Sequence, residues 1–204
     1  MDNNRKDFLI AMYNQLCSEI DRHIKVIWQI VGVLLSTFAV FALVEKDIIP
    51  LDLATAIINL VGALGLAIVI ESNYWYNRNL VIIANIERQF LLVSDIKEIH
   101  YYFQKHRKNN SYLDMMLIQI VFIILLLISI NLYHFFSQVQ PHIGHENSVF
   151  SPIKSIPYFV LLVSVVFLVW FHLKRVSNYN DFKKESPGKT IGGPEIESNS
   201  DHKT

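Results

Sequence analysis

The chain has a single cysteine, Cys17, among its 204 residues. One cysteine excludes an intrachain disulfide and any metal site that needs several cysteines. The formal net charge is zero, so charge gives no reason to expect a nucleic acid as partner. The polar residues before the first apolar stretch do not match a secretory signal peptide, which begins with a short basic region.

Motifs for catalysis and metal binding are also scarce. Residues 188–190, Gly-Lys-Thr, resemble the end of a phosphate-binding loop, but Lys183 stands where the first glycine is required. His142 and His145 could touch a metal ion, but a zinc site needs further ligands on a defined scaffold. The sequence therefore predicts no catalytic residue, no cofactor and no metal site.

Charged residues are missing altogether from four long stretches. A helix needs about 20 apolar residues to cross a hydrocarbon layer of about 30 Å, and each stretch is about that long. Their bounds are approximately residues 26–44, 53–70, 115–136 and 156–173. The sequence therefore predicts an all-α integral membrane protein whose four transmembrane helices form two hairpins.

Positive charges alternate between the segments that join these stretches. All but two of the 18 lysines and arginines lie in the N-terminal segment, the central loop or the tail. The two exceptions, Lys46 and Lys154, lie in the two short loops. Because positive charge is retained on the cytoplasmic side, the pattern predicts a multi-pass protein of the cell inner membrane with both termini in the cytoplasm.

The polar segments predict a cytoplasmic helical bundle. Apolar residues recur every three or four positions in residues 5–25, which indicates an amphipathic helix continuous with the first span. A similar stripe leaves the second span, and Asp95 with Glu98 forms a capping-box pattern. These signals predict helices at about 71–93 and 95–107, which would form a three-helix bundle with the first helix. A kinked helix lying along the membrane is the alternative.

The predicted organisation has five parts. They are an N-terminal amphipathic helix at 1–25, a first transmembrane hairpin at 26–70, a cytoplasmic helical hairpin at 71–114, a second transmembrane hairpin at 115–173, and a cytoplasmic tail at 174–204. The tail is predicted to be disordered because its end is rich in Ser, Pro, Gly and charge.

A few polar side chains lie within the apolar stretches. Gln29 and Gln119 share one depth near the cytoplasmic edge, and Asn59 and Asn131 share another near the outer edge, so each pair could hydrogen-bond between helices. These side chains could form structural hydrogen bonds between helices, or they could line a pore in an oligomer. The lack of charged residues at these depths argues against an ion-coupled transporter.

Small residues give the second span a surface suited to close helix packing. Gly62, Ala63, Gly65 and Ala67 supply it. Their spacing is not GxxxG, so no particular dimer geometry follows.

Two segments after the first hairpin suggest a family. They are Glu71-Ser72-Asn73-Tyr74-Trp75-Tyr76-Asn77-Arg78 and Ile86-Glu87-Arg88-Gln89-Phe90-Leu91. With a helix leading into the hairpin and another leaving it, residues 5–105 resemble the SLATT-type membrane modules of bacteria. The resemblance implies a membrane-disrupting effector of anti-phage or nucleotide-signalling systems, although the second hairpin is an addition to that pattern. Small accessory membrane proteins of CRISPR and retron loci are also similar in size and span number.

Three hypotheses for function follow. The first is an oligomeric membrane effector that perturbs membrane integrity when triggered by a cytoplasmic protein encoded nearby. The second is a membrane anchor or regulatory subunit that recruits a soluble partner. The third is a small transporter or lipid-modifying enzyme, which would need an acid, base or nucleophile in the membrane. The candidate partner-binding surface of the bundle comprises Tyr76, Arg78, Glu87 and Arg88.

Overall fold

The computed structural model describes residues 3–87, 89–91, 112–142 and 152–185. Within these ranges the chain is helical and contains no strand, which confirms the predicted all-α fold. The four long helices are α1 (Asn3–Glu45), α2 (Leu51–Glu87), α3 (Asp114–His134) and α4 (Ile156–Glu185). A π-helical turn, Phe135–Val139, and a 3-10 turn, Gln140–His142, follow α3, and another 3-10 turn, Pro152–Ser155, precedes α4.

Each long helix contains a segment that is long and apolar enough to cross a membrane. The four long helices contain the predicted spans, except that the third span continues past α3 into the π-helical turn. In α2 the apolar segment is 61% buried within the chain, whereas in α4 it is 11% buried. Large side chains such as Phe38, Leu125 and Val166 are exposed. Exposed apolar surface of this extent indicates a membrane protein.

A tight turn joins α1 to α2. Asp47 has a φ of 55°, in the left-handed region that Asp tolerates better than most residues. The Ile48 amide donates to the Leu43 carbonyl over 2.9 Å, and the Asp47 amide donates to the Val44 carbonyl over 3.0 Å. This is the Schellman arrangement, which satisfies the last carbonyls of α1 and ends that helix.

The chain divides into two compact units. The span unit comprises Ile24–Ser72 and Tyr112–Arg175, and the extension unit comprises Met1–His23, Asn73–Ser111 and Val176–Thr204. Helices α1, α2 and α4 each contribute residues to both units without a break in the helix. The predicted continuity between the N-terminal helix and the first span is therefore confirmed.

In the span unit, glycines allow α2 to approach its neighbours. A Cβ placed on Gly62 would lie 2.7 Å from Leu127 Cδ2 of α3, and one on Gly65 would lie 3.2 Å from Ile30 Cγ2 of α1. Both distances are shorter than ordinary van der Waals contact, so a side chain at either position would force the neighbouring side chain to move. The small-residue surface predicted on the second span is therefore a packing surface.

The described residues of the extension unit form two small apolar cores. Leu16 of α1 packs against Ile83 and Ile86 of α2, with Cys17 among the partly buried residues around them. In the second core, Tyr179 of α4 is fully buried beside Tyr74 and Val81 of α2, and Phe182 packs against them. The unit therefore consists of α1, α2 and α4 in the described ranges.

The boundaries of this unit differ from the prediction in two ways. Helix α2 ends at Glu87 rather than near residue 93, because Gln89 and Phe90 turn back to bond Ile86 and Glu87. Phe90 is exposed, so burial of its side chain does not stabilise a longer helix. The helix predicted at 95–107 lies outside the described residues.

The predicted disorder of the tail from residue 174 is wrong for its first part. Residues 174–185 continue α4 as helix. The physical reason is the burial of Tyr179, which anchors this part of the chain to α2. Residues 186–204 lie outside the described ranges.

Candidate functional site

Asp52, His134 and Tyr158 form a hydrogen-bonded network in the span unit. His134 Nε2 lies 2.8 Å from Asp52 Oδ1, and His134 Nδ1 lies 2.8 Å from the Tyr158 hydroxyl oxygen. The imidazole is fully buried, while the Asp52 side chain is 16% exposed. An ionised carboxylate can only accept, so Nε2 donates to Asp52, and Nδ1 of a neutral ring then accepts from the Tyr158 hydroxyl.

Three different helices supply these residues. Asp52 lies in the first turn of α2, where the positive end of the helix dipole favours a carboxylate. His134 is the last residue of α3, and Tyr158 lies in the first turn of α4. One imidazole ring therefore joins the adjacent ends of three helices. No sequence motif marks this set, because Asp52 lies just outside a charge-free stretch.

Asn59 and Asn131 form a second polar contact between α2 and α3. Asn59 Nδ2 donates to Asn131 Oδ1 over 3.1 Å, and Asn131 Nδ2 donates back to Asn59 Oδ1 over 2.7 Å. Asn59 Nδ2 also donates to the Pro157 carbonyl of α4 over 3.0 Å. This contact between the two asparagines is the one that their matching depths predicted, and it is buried rather than exposed to a channel in the single chain.

The other predicted pair is not formed. The Gln29 side chain is exposed on α1, and the structure shows no hydrogen bond between it and Gln119. Gln119 is half-buried on α3, and its Oε1 atom has no hydrogen-bond partner. The predicted Gln29–Gln119 hydrogen bond is therefore absent from the single chain, in which Gln29 is exposed and Gln119 is half-buried.

A cavity of about 940 Å³ lies between α2, α3 and α4 within the span unit. Its walls are chiefly aliphatic side chains, such as Leu66, Ile124 and Leu168. Tyr158 lines the same end of the cavity as Asn59 and Asn131. Tyr158 thus belongs both to the His134 network and to the cavity wall.

Polar and charged residues also join α4 to its neighbours at the opposite end of the span unit. Tyr112 and His172 both line the cavity, and the Tyr112 hydroxyl lies 3.1 Å from His172 Nδ1. Arg175 of α4 forms an ion pair with Glu71 of α2. The cavity is therefore bounded by hydrogen-bonding residues at both ends and, apart from Ser164, is lined by apolar residues between them.

The predicted partner-binding surface is only partly exposed. Tyr76 is buried, with 7% of its surface accessible, so its assignment to a surface is wrong. Glu87 is half-buried, and its Oε1 atom accepts a long hydrogen bond of 3.4 Å from the Tyr13 hydroxyl. Arg88 lies outside the described residues.

Arg78 lies against aromatic rings of its own chain. Its guanidinium carbon is 5.0 Å from the centre of the Trp75 ring and 5.3 Å from that of Phe182. These are cation–π distances, so Arg78 links α2 to the end of α4.

A second cavity lies in the extension unit. It has a volume of about 450 Å³ and is lined by residues of α1, α2 and α4, with Met12 and Ile86 among its apolar side chains. Arg5 and Glu185 supply charges of opposite sign to its lining. A side chain or short segment of another protein could enter a cavity of this size and composition.

Metal binding finds no support in the described part of the chain. No group of three or more His, Cys, Asp or Glu residues within it could hold a metal ion. The side chain of His142 and the whole of His145 fall outside that part.

Comparisons with known proteins give no relative for this chain: no family model, no curated protein and no solved structure matches it. The resemblance to SLATT-type modules therefore stays a prediction, and the function rests on the geometry alone.

Proposed function

We propose that the chain is an oligomeric inner-membrane effector that perturbs membrane integrity when a cytoplasmic partner engages the extension unit. The observation that carries the proposal is helix continuity: α1, α2 and α4 each run unbroken from the span unit into the extension unit. Helices are stiff over this length, so a change in the packing of one end changes the tilt of the other.

The proposed orientation places both termini and the extension unit in the cytoplasm. It is supported by the distribution of lysine and arginine, of which only Lys46 and Lys154 fall in the two short loops. Exposed aliphatic and aromatic residues on α1 and α4 support lipid contact or assembly with further copies. The cavity of about 450 Å³ in the extension unit is the proposed point of entry for the partner.

Orientation is tested by labelling with a membrane-impermeant maleimide. In a Cys17→Ser background, a cysteine at the exposed turn position (Asp47→Cys) should react in intact cells. A cysteine near the end of α4 (Lys184→Cys) should react only after the membrane is permeabilised. The reverse pattern would show that the orientation is inverted.

The effector role is tested through membrane potential. Cells that express the chain with its neighbouring genes should depolarise on phage infection, and cells with an intact potential would refute the role. His23→Pro interrupts α1 where the extension unit ends and should abolish depolarisation, because proline breaks a helix interior. Asn4→Pro is the matched control, since the first turn of a helix tolerates proline.

Depolarisation that persists in His23→Pro would show that continuity of α1 is not needed. If a pull-down with the chain recovers a stoichiometric cytoplasmic partner but the membrane is never depolarised, the chain would instead be an anchor or regulatory subunit.

A further inference from the structure

The cavity of about 450 Å³ in the extension unit has an apolar floor and a polar rim. The floor consists of buried or half-buried side chains, namely Leu9, Met12, Ile82, Ile86 and Phe182. Asn85 adds a half-buried amide. The exposed residues of the lining are all polar: Arg5, Gln89 and Glu185. The cavity therefore suits an aliphatic side chain that is carried by a polar stretch of chain.

The C-terminal tail begins at this cavity. Glu185 is the last residue of α4 and lines the cavity, and residues 186–204 follow it in the sequence. The only aliphatic side chains in that tail are Ile191 and Ile196. Because Ile191 is the nearer of the two to Glu185 along the chain, it is the first candidate for the apolar floor.

Ile191 is within reach of the floor. It follows Glu185 by six positions, and six extended residues span at most about 20 Å. The cavity itself extends along α1 from Arg5 to Met12, roughly 10 Å at the standard rise. Residues 187–188, Pro-Gly, are a dipeptide typical of turns, so the sequence favours a reversal of the chain directly after α4.

Tethering favours the tail over a second copy of the chain as the occupant. A segment joined to the rim by so short a link is present there at an effective concentration of roughly millimolar or above, and closing a short loop has a small entropic cost. A second copy would have to supply its aliphatic side chain at the concentration of the protein itself. Charge favours the same choice, because Lys189 lies two residues before Ile191 and is opposite in sign to Glu185 at the rim.

We propose that residues 189–191 of the tail occupy the cavity in the extension unit, with the Ile191 side chain on the apolar floor and the Lys189 ammonium beside Glu185. No covalent bond is made or broken. While the tail is bound, another protein cannot enter the same space, so the tail competes with the cytoplasmic partner. This competition rests on the proposed function, whereas the binding of the tail does not.

The first test measures access to the floor of the cavity. In a Cys17→Ser background, Met12→Cys places the only thiol of the chain there. In the purified full-length protein in mild detergent, Ile191→Asp should raise the rate of reaction of this thiol with a maleimide at least severalfold, because a carboxylate is unfavourable in an apolar cavity. Ile196→Asp is the matched control: it makes the same change in the same tail, beyond the Gly-Gly-Pro turn signal at 192–194, and should leave the rate unchanged.

Two results of this experiment would overturn the proposal. If Ile191→Asp leaves the rate unchanged, access to the floor does not depend on the tail, and any protection of the thiol comes from another occupant. If both aspartate variants raise the rate equally, added negative charge in the tail controls access, and the contact made by Ile191 does not.

The second test shows where the tail binds and to which copy. In the same Cys17→Ser background, Leu9→Cys combined with Ile191→Cys should form a disulfide within one chain on mild oxidation, measured by intact mass and peptide mapping. Phe8→Cys with Ile191→Cys is the matched control, because Phe8 is adjacent on α1, is 66% exposed and does not line the cavity. It should cross-link at least severalfold more slowly.

Cross-linking at equal rates in the two pairs would show that the tail has no preferred site, which would overturn the proposal. A disulfide that joins two copies of the chain would also overturn it, because the cavity would then be an interface between copies.

The competition with the partner is tested separately in cells. With the neighbouring genes present, Ile191→Asp should depolarise the membrane without phage infection, because the partner no longer has to displace the tail. Ile196→Asp should still require infection. A requirement for infection that is unchanged in Ile191→Asp would overturn the competition.

The binding of the tail and the effector role fail in different ways. If Ile191→Asp exposes the thiol at position 12 but no form of the chain ever depolarises the membrane, the effector role fails and the binding of the tail stands. If the wild-type chain depolarises the membrane on infection but the thiol is equally accessible with and without Ile191→Asp, the binding of the tail fails and the effector role stands.

Discussion

Asn59 and Asn131 show how a single pair of residues can join two helices in an apolar environment. Each side chain donates to the other and accepts from it. Asn131 Nδ2 also donates to the Leu127 carbonyl of its own helix over 2.7 Å, and Asn59 Nδ2 reaches Pro157. An amide placed in hydrocarbon without such partners would cost several kcal/mol. The pair is therefore a structural contact, and its loss should weaken the packing of α2 against α3.

We expect the two asparagines to be energetically coupled. Asn59→Ala and Asn131→Ala should each destabilise the protein, and the double variant should be more stable than the sum of the two losses predicts. A coupling free energy of about 0.5–1.7 kcal/mol is typical of such contacts in membranes. It can be measured from a double-mutant cycle of unfolding in detergent micelles. Additive losses would show that the amides act independently.

The same depth argument that pairs the asparagines could have found the His134 network. His134 lies near the end of the third charge-free stretch, and Asp52 lies one residue before the second. Matching depth within the stretches pairs Asn59 with Asn131, but Asp52 lies outside them and so has no partner by that criterion. Tyr158 gives no signal in sequence, since a tyrosine near the end of a span is common in membrane interfaces.

At the scale of the elements, α2 is the helix on which the span unit is built. Its apolar segment is the most buried of the four, and it contacts α1 and α3 through glycines. Absence of charge was enough to predict that four helices exist and roughly where each span lies. It could not show that α4 continues beyond its span, because that depends on tertiary burial such as that of Tyr179.

We expect a side chain at Gly62 to separate α2 from α3. Gly62→Leu should destabilise the protein by about 1–3 kcal/mol, the usual effect of overpacking. Gly32→Leu is the matched control, because a Cβ on Gly32 of α1 meets nothing within 4 Å. Thermal unfolding in the same detergent gives both values. Equal changes in the two variants would contradict a specific contact at Gly62.

At the scale of the whole molecule, the chain has two compact units. The apolar cores around Leu16 and Tyr179 are both made of residues of the extension unit, whereas the span unit buries residues of its own, such as Ile58 and Ile123. Parts of a protein with separate cores commonly open independently. The span unit and the extension unit should therefore respond differently to a substitution in only one core.

We expect Tyr179→Ala to loosen the extension unit alone. Loss of a buried aromatic side chain costs about 3–5 kcal/mol, and it should lower hydrogen-exchange protection at residues 73–84 and 176–185. Protection at residues 114–134 should not change. Phe159→Ala, at an exposed aromatic position of the same helix, is the control. Equal loss of protection in both units would show that they open as one.

The His134 network also limits how the helices of the span unit can slide. Two bonds of 2.8 Å meet on one imidazole, and a shift of one turn along a helix is about 5.4 Å. Sliding α2, α3 or α4 by a full turn would stretch at least one of these bonds beyond hydrogen-bonding distance. The network thus restrains this end of the span unit. The three helices can splay or rotate about this end, but they cannot slide past one another along their axes.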